Sequence, residues 1–533
     1  MTEVGNVLKI GVFGLAILAV LGDLCEPQDI ESVEVICRNV DSMVKVSKEL
    51  QPTWRKVIIV NDRQSSFTNA EHESPNLRFI EYLDLSKAGE LIISDHGFRD
   101  FYSLRTLDIS NTGIPALKSN WFERENLIAK LIASGNSLQE LRKDNVKILS
   151  NVVSMDFSRN EINSVEKNAF ATLPMLEELN FNLNQLPDLN LGEIPNLKSL
   201  TAMDNSLDKL TTGALGQMPM LQTLNVAQNF IKTIDPRSFE GLTNLRVLNL
   251  SGNSIKTIFP EMFMGLSRVR LMELDLSKND IEKIEPNGFS ELKLLRSLNI
   301  SQNSLTSLSP ENFEGMRGLR KLFLNTNDIM NIQPRTFSTM PLLEILEISD
   351  NHLLTLSEEM FREGLPRLRK LMLQRNNIAT LQPRTFELTP NLDYLSLAQN
   401  EIETMPREVF APLKKLKKLH LAHNHLEEFL PEHLNPLGRL ESLLMDYNRL
   451  TFIPNIENTF PTLQYVSIEG NPWQCPCFNQ LVQWLANRRI EYRRKTLFDG
   501  QRPVCVVTGV EFCVKNITIV RKYGIMEQFE KGL

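Results

Sequence analysis

Cysteine and histidine are the residues most able to do chemistry in this chain, and their positions already limit what that chemistry can be. Six cysteines fall into two groups, Cys25 and Cys37 near the start and Cys475, Cys477, Cys505 and Cys513 near the end, with none between. An even number clustered at the ends, behind an apolar N-terminal stretch, points to disulfides formed in an oxidising compartment. Zinc fits poorly, because Cys475-Pro476-Cys477 has one intervening residue where structural zinc sites use two to four. Four of the seven histidines cluster at His420, His423, His425 and His433. A metal or pH-sensing role there lacks carboxylates or thiols at ligand spacing, so they read as exposed loop histidines. No phosphate-cradling glycine loop, no G-x-S-x-G and no H-E-x-x-H is present. The expectation is a binding protein with no catalytic residue, no metal and no cofactor.

What positions these residues is a repeat. Asparagine recurs in fifteen places from Asn136 to Asn471, at steps of 21 to 26 residues and mostly 24. Around each copy the chain reads L-x-x-L-x-L-x-x-N-x-L, as in Leu245, Leu248, Leu250, Asn253 and Ile255. Such a period makes a solenoid, in which each unit buries its apolar face only against its neighbours. Seventeen units open between Ile80 and Leu463, and a degenerate one is expected at Trp54, Val57, Ile59 and Asp62. The period-two stretch of each unit is a strand with leucine inward. Seventeen such strands stacked in parallel would trace an arc of about 80 Å. The asparagine amide offers donors and an acceptor to the backbone where the strand bends away. Ala88 and Thr112 take its place in the first two units. Ten residues after that column comes Phe in eleven units, from Phe98 to Phe410, expected to fill the convex side. Proline seven residues after the asparagine, at 236, 260, 286, 310, 334, 383 and 431, suits the opening of a short helical turn. The unit starting at Leu176 is three residues short and has Ile194 in place of its Phe, so a local change of curvature is expected near 184 to 205.

Side chains that alternate outward on the strands are the candidates for recognition. In the early units they are mostly Asp84, Ser86, Asp108, Ser110, Asp156 and Ser158, an ordinary filling of such repeats. Later units differ: Lys321, Ile345, Lys370, Tyr394 and Lys418 form one column, and Phe323, Glu347, Met372, His420 and Leu444 the next. Exposed aromatic and aliphatic groups among charges mark an interaction patch. The competing reading is that broad sheets tolerate scattered apolar residues. Sequons for N-glycosylation stand at Asn249, Asn299 and Asn516; the first two fall in the fourth outward column, where glycans would push a ligand toward the later repeats.

The N-terminus reads as a secretory signal: Lys9, an apolar run from Ile10 to Leu21, then small residues at Val20-Leu21-Gly22. That run is too short to span a bilayer; an uncleaved anchor is the rival. The net charge of −7 argues against nucleic acid as the main partner. Arg488, Arg489, Arg493, Arg494 and Lys495 could grip sulfated polysaccharide or acidic lipid, or simply form a solvated face. No lipid-anchor signal or membrane span follows Cys513, so release as a soluble protein is expected.

On these residues the chain resembles the typical 24-residue class of leucine-rich repeats of animal extracellular proteins, over about residues 54 to 515. Asn471-Pro472-Trp473-x-Cys475-x-Cys477, a helix-like stretch through Trp484, then Cys505 and Cys513, is similar to that family's cysteine-rich C-terminal cap. The resemblance implies pairing of Cys475 with Cys505 and Cys477 with Cys513. The chain is also similar to insect secreted leucine-rich repeat proteins, including the mosquito immune group. It departs from the long members of that group, since no heptad coiled coil follows the cap. It also has two N-terminal cysteines where four are common, leaving only Cys25–Cys37.

The expected fold class is therefore an α/β solenoid, a leucine-rich repeat horseshoe with a concave parallel sheet, convex loops and short helical turns, and disulfide-capped ends. Its expected parts are a signal peptide (1–22), an N-terminal cap (23–79), repeats (80–470), a cysteine-rich cap (471–515) and a short tail (516–533). The expected function is secreted recognition of an extracellular protein through the concave face, in innate immunity. The alternative is a matrix or adhesion component working by lateral or homophilic self-association.

Overall fold

A computed structural model describes residues 24–28, 32–61, 66–69, 75–122, 126–454, 460–492, 504–515 and 517–531. The expected signal peptide, Asn516 and Arg493 to Lys495 lie outside the described residues. The chain forms two compact units, one running through Phe230 together with Ser238–Leu245, the other comprising Ile231–Arg237 and Arg246–Leu533. Both are leucine-rich repeat solenoids.

In the first unit Cys25–Pro27 pairs antiparallel with Glu34–Arg38, and Cys25 and Cys37 face each other in register and are disulfide-bonded. From Glu34–Arg38 onward the pairing is parallel, through Lys56–Val60, Tyr82–Lys87, Thr106–Asp108, Lys130–Ile132, Ser154–Asp156 and Glu178–Asn180 to Ser199–Thr201 and Thr223–Asn225. In the second unit the parallel ladder runs from Val247–Asn249 to Glu491–Tyr492, with Lys321–Phe323, Ile345–Glu347, Lys370–Met372, Tyr394–Ser396, Lys418–His420 and Ser442–Leu444 in its middle. The register puts the inward leucines directly over one another. Leu298, Leu322, Leu346, Leu371, Leu395 and Leu419 are each fully buried, and truncating any to alanine would cost about 2–5 kcal/mol.

The asparagine column satisfies the backbone where each strand ends. Asn303 Nδ2 donates to the carbonyls of Ile300 and of Leu276 one unit earlier, each at 3.0 Å, and its Oδ1 accepts from the Ile281 amide at 2.9 Å. The same pattern repeats at Asn327, Asn400 and Asn424. Thr112 supplies one such bond from its hydroxyl, to the Ile109 carbonyl at 2.7 Å. The degenerate early unit exists, its strand being Lys56–Val60; Asp62 lies outside the described residues, and Asn61 makes bonds of the asparagine type. Its Oδ1 accepts from the Val40 amide at 2.9 Å and its Nδ2 donates to the Ala88 carbonyl at 3.0 Å. A bulge between Ile58 and Val60 shifts the register there by one residue.

The residue before each asparagine has a positive φ from Arg159 onward, and most of these residues are not glycine, among them Lys278 (55°), Gln302 (54°) and His423 (56°). Left-handed backbone costs an L-residue about 1–2 kcal/mol, and the three amide bonds that follow hold it in place. Gly470 fills the position where a side chain is excluded: a Cβ would meet the Tyr447 ring at 2.4 Å.

On the convex side the phenylalanine column stacks as expected, Phe263 on Phe289 at 5.8 Å, Phe337 on Phe361 and Phe386 on Phe410 each at 6.2 Å. Pro260, Pro310 and Pro431 each open a short helical turn. The convex side is not only loops and turns: two-residue strands such as Ser307–Leu308 and Asn331–Ile332 form a second parallel ladder. In the short unit after Leu176 the missing residues leave the main register intact, Glu178 pairing with Ser199. The shortage is absorbed beyond the strand, where Gly192 has φ 81° and the Glu193 amide donates to Asn168 Oδ1 at 3.0 Å.

Candidate binding surface

The parallel register assembles the two outward columns of the second unit. Lys321, Ile345, Lys370, Tyr394 and Lys418 are successive partners, as are Phe323, Glu347, Met372, Ser396, His420 and Leu444. Their exposure differs from the expectation of a freely exposed apolar patch. The three lysines are exposed, whereas Phe323, Ile345, Met372, Tyr394, His420 and Leu444 are half-buried and Ser396 is buried. Strands about 4.8 Å apart pack outward side chains against one another, which accounts for the partial burial of the rings and aliphatic groups.

Tyr394 and His420 form the most ordered part of this surface. Their rings meet edge to face at 4.9 Å, and Tyr394 Oη lies 3.1 Å from His420 Nδ1. Burial, assisted by the Lys418 ammonium, lowers the His420 pKa from 6.5 to about 4. The ring is therefore neutral near pH 7, and its tautomer sets which partner donates in the bond with the tyrosine hydroxyl. Burial pushes the Tyr394 phenol up, with the nearby Glu347 carboxylate adding to the shift while a hydrogen bond with Ser396 opposes it. Sequence reasoning named both residues but missed their coupling, because only strand register brings residues 26 apart into contact.

The reading of the four histidines as exposed loop residues is corrected at three of them, His425 being a half-buried loop residue. His420 is on a strand, and His433 is buried at 1 % exposure in the convex turn Pro431–Leu434, where its Nδ1 accepts from the Leu430 amide at 3.1 Å and its ring meets Phe410 and Phe429 edge-on. His423 is exposed and stacks on Tyr447 at 4.4 Å. Among the described residues no group of His, Cys, Asp or Glu is arranged to hold a metal ion.

In the first unit, Asp84 and Asp108 are partners in register, and each accepts from the amide and hydroxyl of the serine two residues on, at 2.9 and 2.6 Å. Burial, with Asp84 and Asp156 adding repulsion, raises the Asp108 pKa against those bonds. These carboxylates close strand ends and do not converge on a pocket. Asn249 and Asn299 lie half-buried on either side of Asp275, each accepting with Oδ1 from the amide of its own sequon serine.

At the C-terminal end the helix Cys475–Asn487 carries the disulfides Cys475–Cys505 and Cys477–Cys513. Trp473 is buried just before it and donates from Nε1 to the Ile468 carbonyl at 2.7 Å. Arg488 lies over the Trp484 ring at 5.4 Å. The tail is not featureless: Ile519–Lys531 is a helix that buries Ile525 and Phe529 with Val506, and Lys522 pairs with Glu427 at 2.7 Å. The pattern Ile525-x-x-x-Phe529 was the available signal, one helical turn apart. Among the described residues no helix is long and apolar enough to cross a membrane.

An array of stacked strands with asparagine-closed turns and a broad polar and apolar surface defines a repeat scaffold for binding macromolecules. The leucine-rich repeat family model matches residues 128–186, 195–255, 219–274, 269–329, 317–378, 366–426 and 390–450, more than half of the sequence, and the chain belongs to that family. The sequence has no match among curated proteins. Among solved structures it is similar to a leucine-rich repeat protein of Leptospira interrogans, at 20% identity and TM-score 0.52, covering 84% of this chain and 92% of that one. It also matches an internalin of Listeria monocytogenes (18% identity, TM-score 0.46, covering 63% and 86%) and the TLR13–ssRNA13 complex (18%, 0.34, covering 88% and 96%).

Proposed function

We propose that this chain is a secreted recognition protein that binds another protein through the outward columns of its second unit, in the setting of host defence. The carrying observation is the ladder of exposed Lys321, Lys370 and Lys418 alternating with half-buried Ile345 and Tyr394, beside Phe323, Met372 and Leu444. Folding does not require an outward ring or thioether at every such position, since Thr106, Asp108, Ser154, Asp156, Ser199 and Thr201 fill them in the first unit, beside Tyr82 and Ile132. Amphipathic anchors ringed by charge are the composition of binding cores. Terminal disulfides and an apolar N-terminal run support export.

Expression in eukaryotic cells with the native N-terminus tests export. The chain is expected in the medium, cleaved near residue 22, with glycosidase-sensitive mass at Asn249, Asn299 or Asn516; retention in the cytosol with reduced thiols refutes it. For binding, the partner is captured from body fluid or medium and its affinity compared between wild type and Phe323→Ala with Met372→Ser. Losing a central anchor costs about 2 kcal/mol or more, so affinity should fall about thirtyfold at unchanged melting temperature. Equal affinity moves the site elsewhere.

A further inference from the structure

The flank of the second unit that leads into the strands carries a charge pattern the columns above do not use. One position before each outward lysine column, Arg320, Glu344, Arg369, Asp393, Lys417 and Glu441 succeed each other, each amide donating to the preceding carbonyl at 2.8–2.9 Å. Basic and acidic residues alternate, and they cancel pairwise: Arg320 with Glu344 at 2.8 Å, Arg369 with Asp393 at 2.6 Å, Lys417 with Glu441 at 2.7 Å. Every acid of this row is thereby held by a cation of its own.

Two rows of cations flank that neutral row. Inside are Lys321, Lys370 and Lys418; outside are Arg367, Lys415 and Arg439, all exposed. None of the six makes an ion pair among the described residues. Arg367, Lys415 and Arg439 line one open cavity of about 520 Å³, where Lys415 donates to the neutral Asn391 side chain at 2.6 Å. The fold does not demand basic residues in the outer row, since the same repeat position is Met175, Met220 and Leu294 elsewhere. A chain of net charge −7 thus concentrates unpaired positive charge along one flank.

We propose that this flank is a binding site for a linear sulfated polysaccharide. The cations recur mainly every second strand, about 10 Å apart along the stack, which suits an extended polymer with anionic groups at regular intervals. Exposed ammonium and guanidinium groups with a neutral amide among them can engage both sulfates and hydroxyls. Attraction to such a polyanion is strong at low salt and screened within about 8 Å at physiological salt. The site rests on the extracellular setting of the proposed function; it shares the lysines Lys321, Lys370 and Lys418 with the protein-binding columns, and its outer row Arg367, Lys415 and Arg439 is its own.

The test measures full-length chain on immobilised heparin as salt is varied. Wild type should bind, and Arg367→Ser with Lys415→Ser and Arg439→Ser should lose tenfold or more with a shallower salt dependence. Arg488→Ser with Arg489→Ser, in the cap, should bind like wild type. Heparin should also shield Lys415 of the unaltered protein from amine acetylation, a readout that needs no variant to fold. Undiminished binding by the triple variant, loss in the cap variant, or unshielded Lys415 overturns the proposal. So does competition by polyglutamate as effective as by heparin at equal charge, which assigns the flank to an acidic peptide. Phe323→Ala with Met372→Ser should leave heparin affinity intact, so the two sites fail separately.

Discussion

His420 shows how a single side chain acquires its properties from its neighbours. Its pKa of about 4 in the folded chain, against 6.5 when free, means that protonation favours the unfolded state. Its contribution is therefore complete above pH 6.5 and is lost as pH falls from there toward 4. His420→Gln keeps a hydrogen-bond partner for the Tyr394 hydroxyl and cannot be protonated. Between pH 7.5 and 4.5 wild type should lose on the order of 1 kcal/mol more stability than this variant, allowing for partial solvent screening. Denaturant titrations at the two pH values check this; equal losses would mean that the ring is solvated in both states.

At the scale of an element, the strand and the turn that ends it are one device. The left-handed residue reverses the chain and the following asparagine ties two units together through buried backbone groups. Asn303→Ala would leave the buried Ile281 amide without its acceptor, while the Leu276 and Ile300 carbonyls would each lose one of two asparagine donors and keep Asn279 and Asn327. An unsatisfied buried group costs about 1–3 kcal/mol, so a loss of about 2 kcal/mol is expected by chemical denaturation. Asn303→Ala within 1 kcal/mol of wild type, by the scale of ordinary surface changes, would show that water reaches these turns.

For the molecule as a whole, a solenoid leaves core exposed wherever its array stops. Disulfides tie both ends, Cys25–Cys37 in the first unit and Cys475–Cys505 with Cys477–Cys513 in the second. Cys475→Ser with Cys505→Ser opens a loop of sequence separation 30. About 3–4 kcal/mol of stability should be lost on the chain-entropy estimate. Calorimetry should then show the C-terminal repeats melting before the rest, and a single unshifted transition would contradict it.

The repeat, its asparagine ladder, the phenylalanine column and the cap cysteines were legible in the sequence because they recur at a fixed spacing or as a local motif. Each does the same work against an identical neighbour, so periodicity alone implies contact. Asn61, the Tyr394–His420 pair, the burial of His433, the second ladder on the convex side and the docked tail helix were not legible. They depend on a bulge, on which residues the register places side by side, or on a contact between distant segments such as Lys522 and Glu427. Local pattern carries the sign of a side chain and the face it takes; only the packed chain decides which neighbour desolvates it.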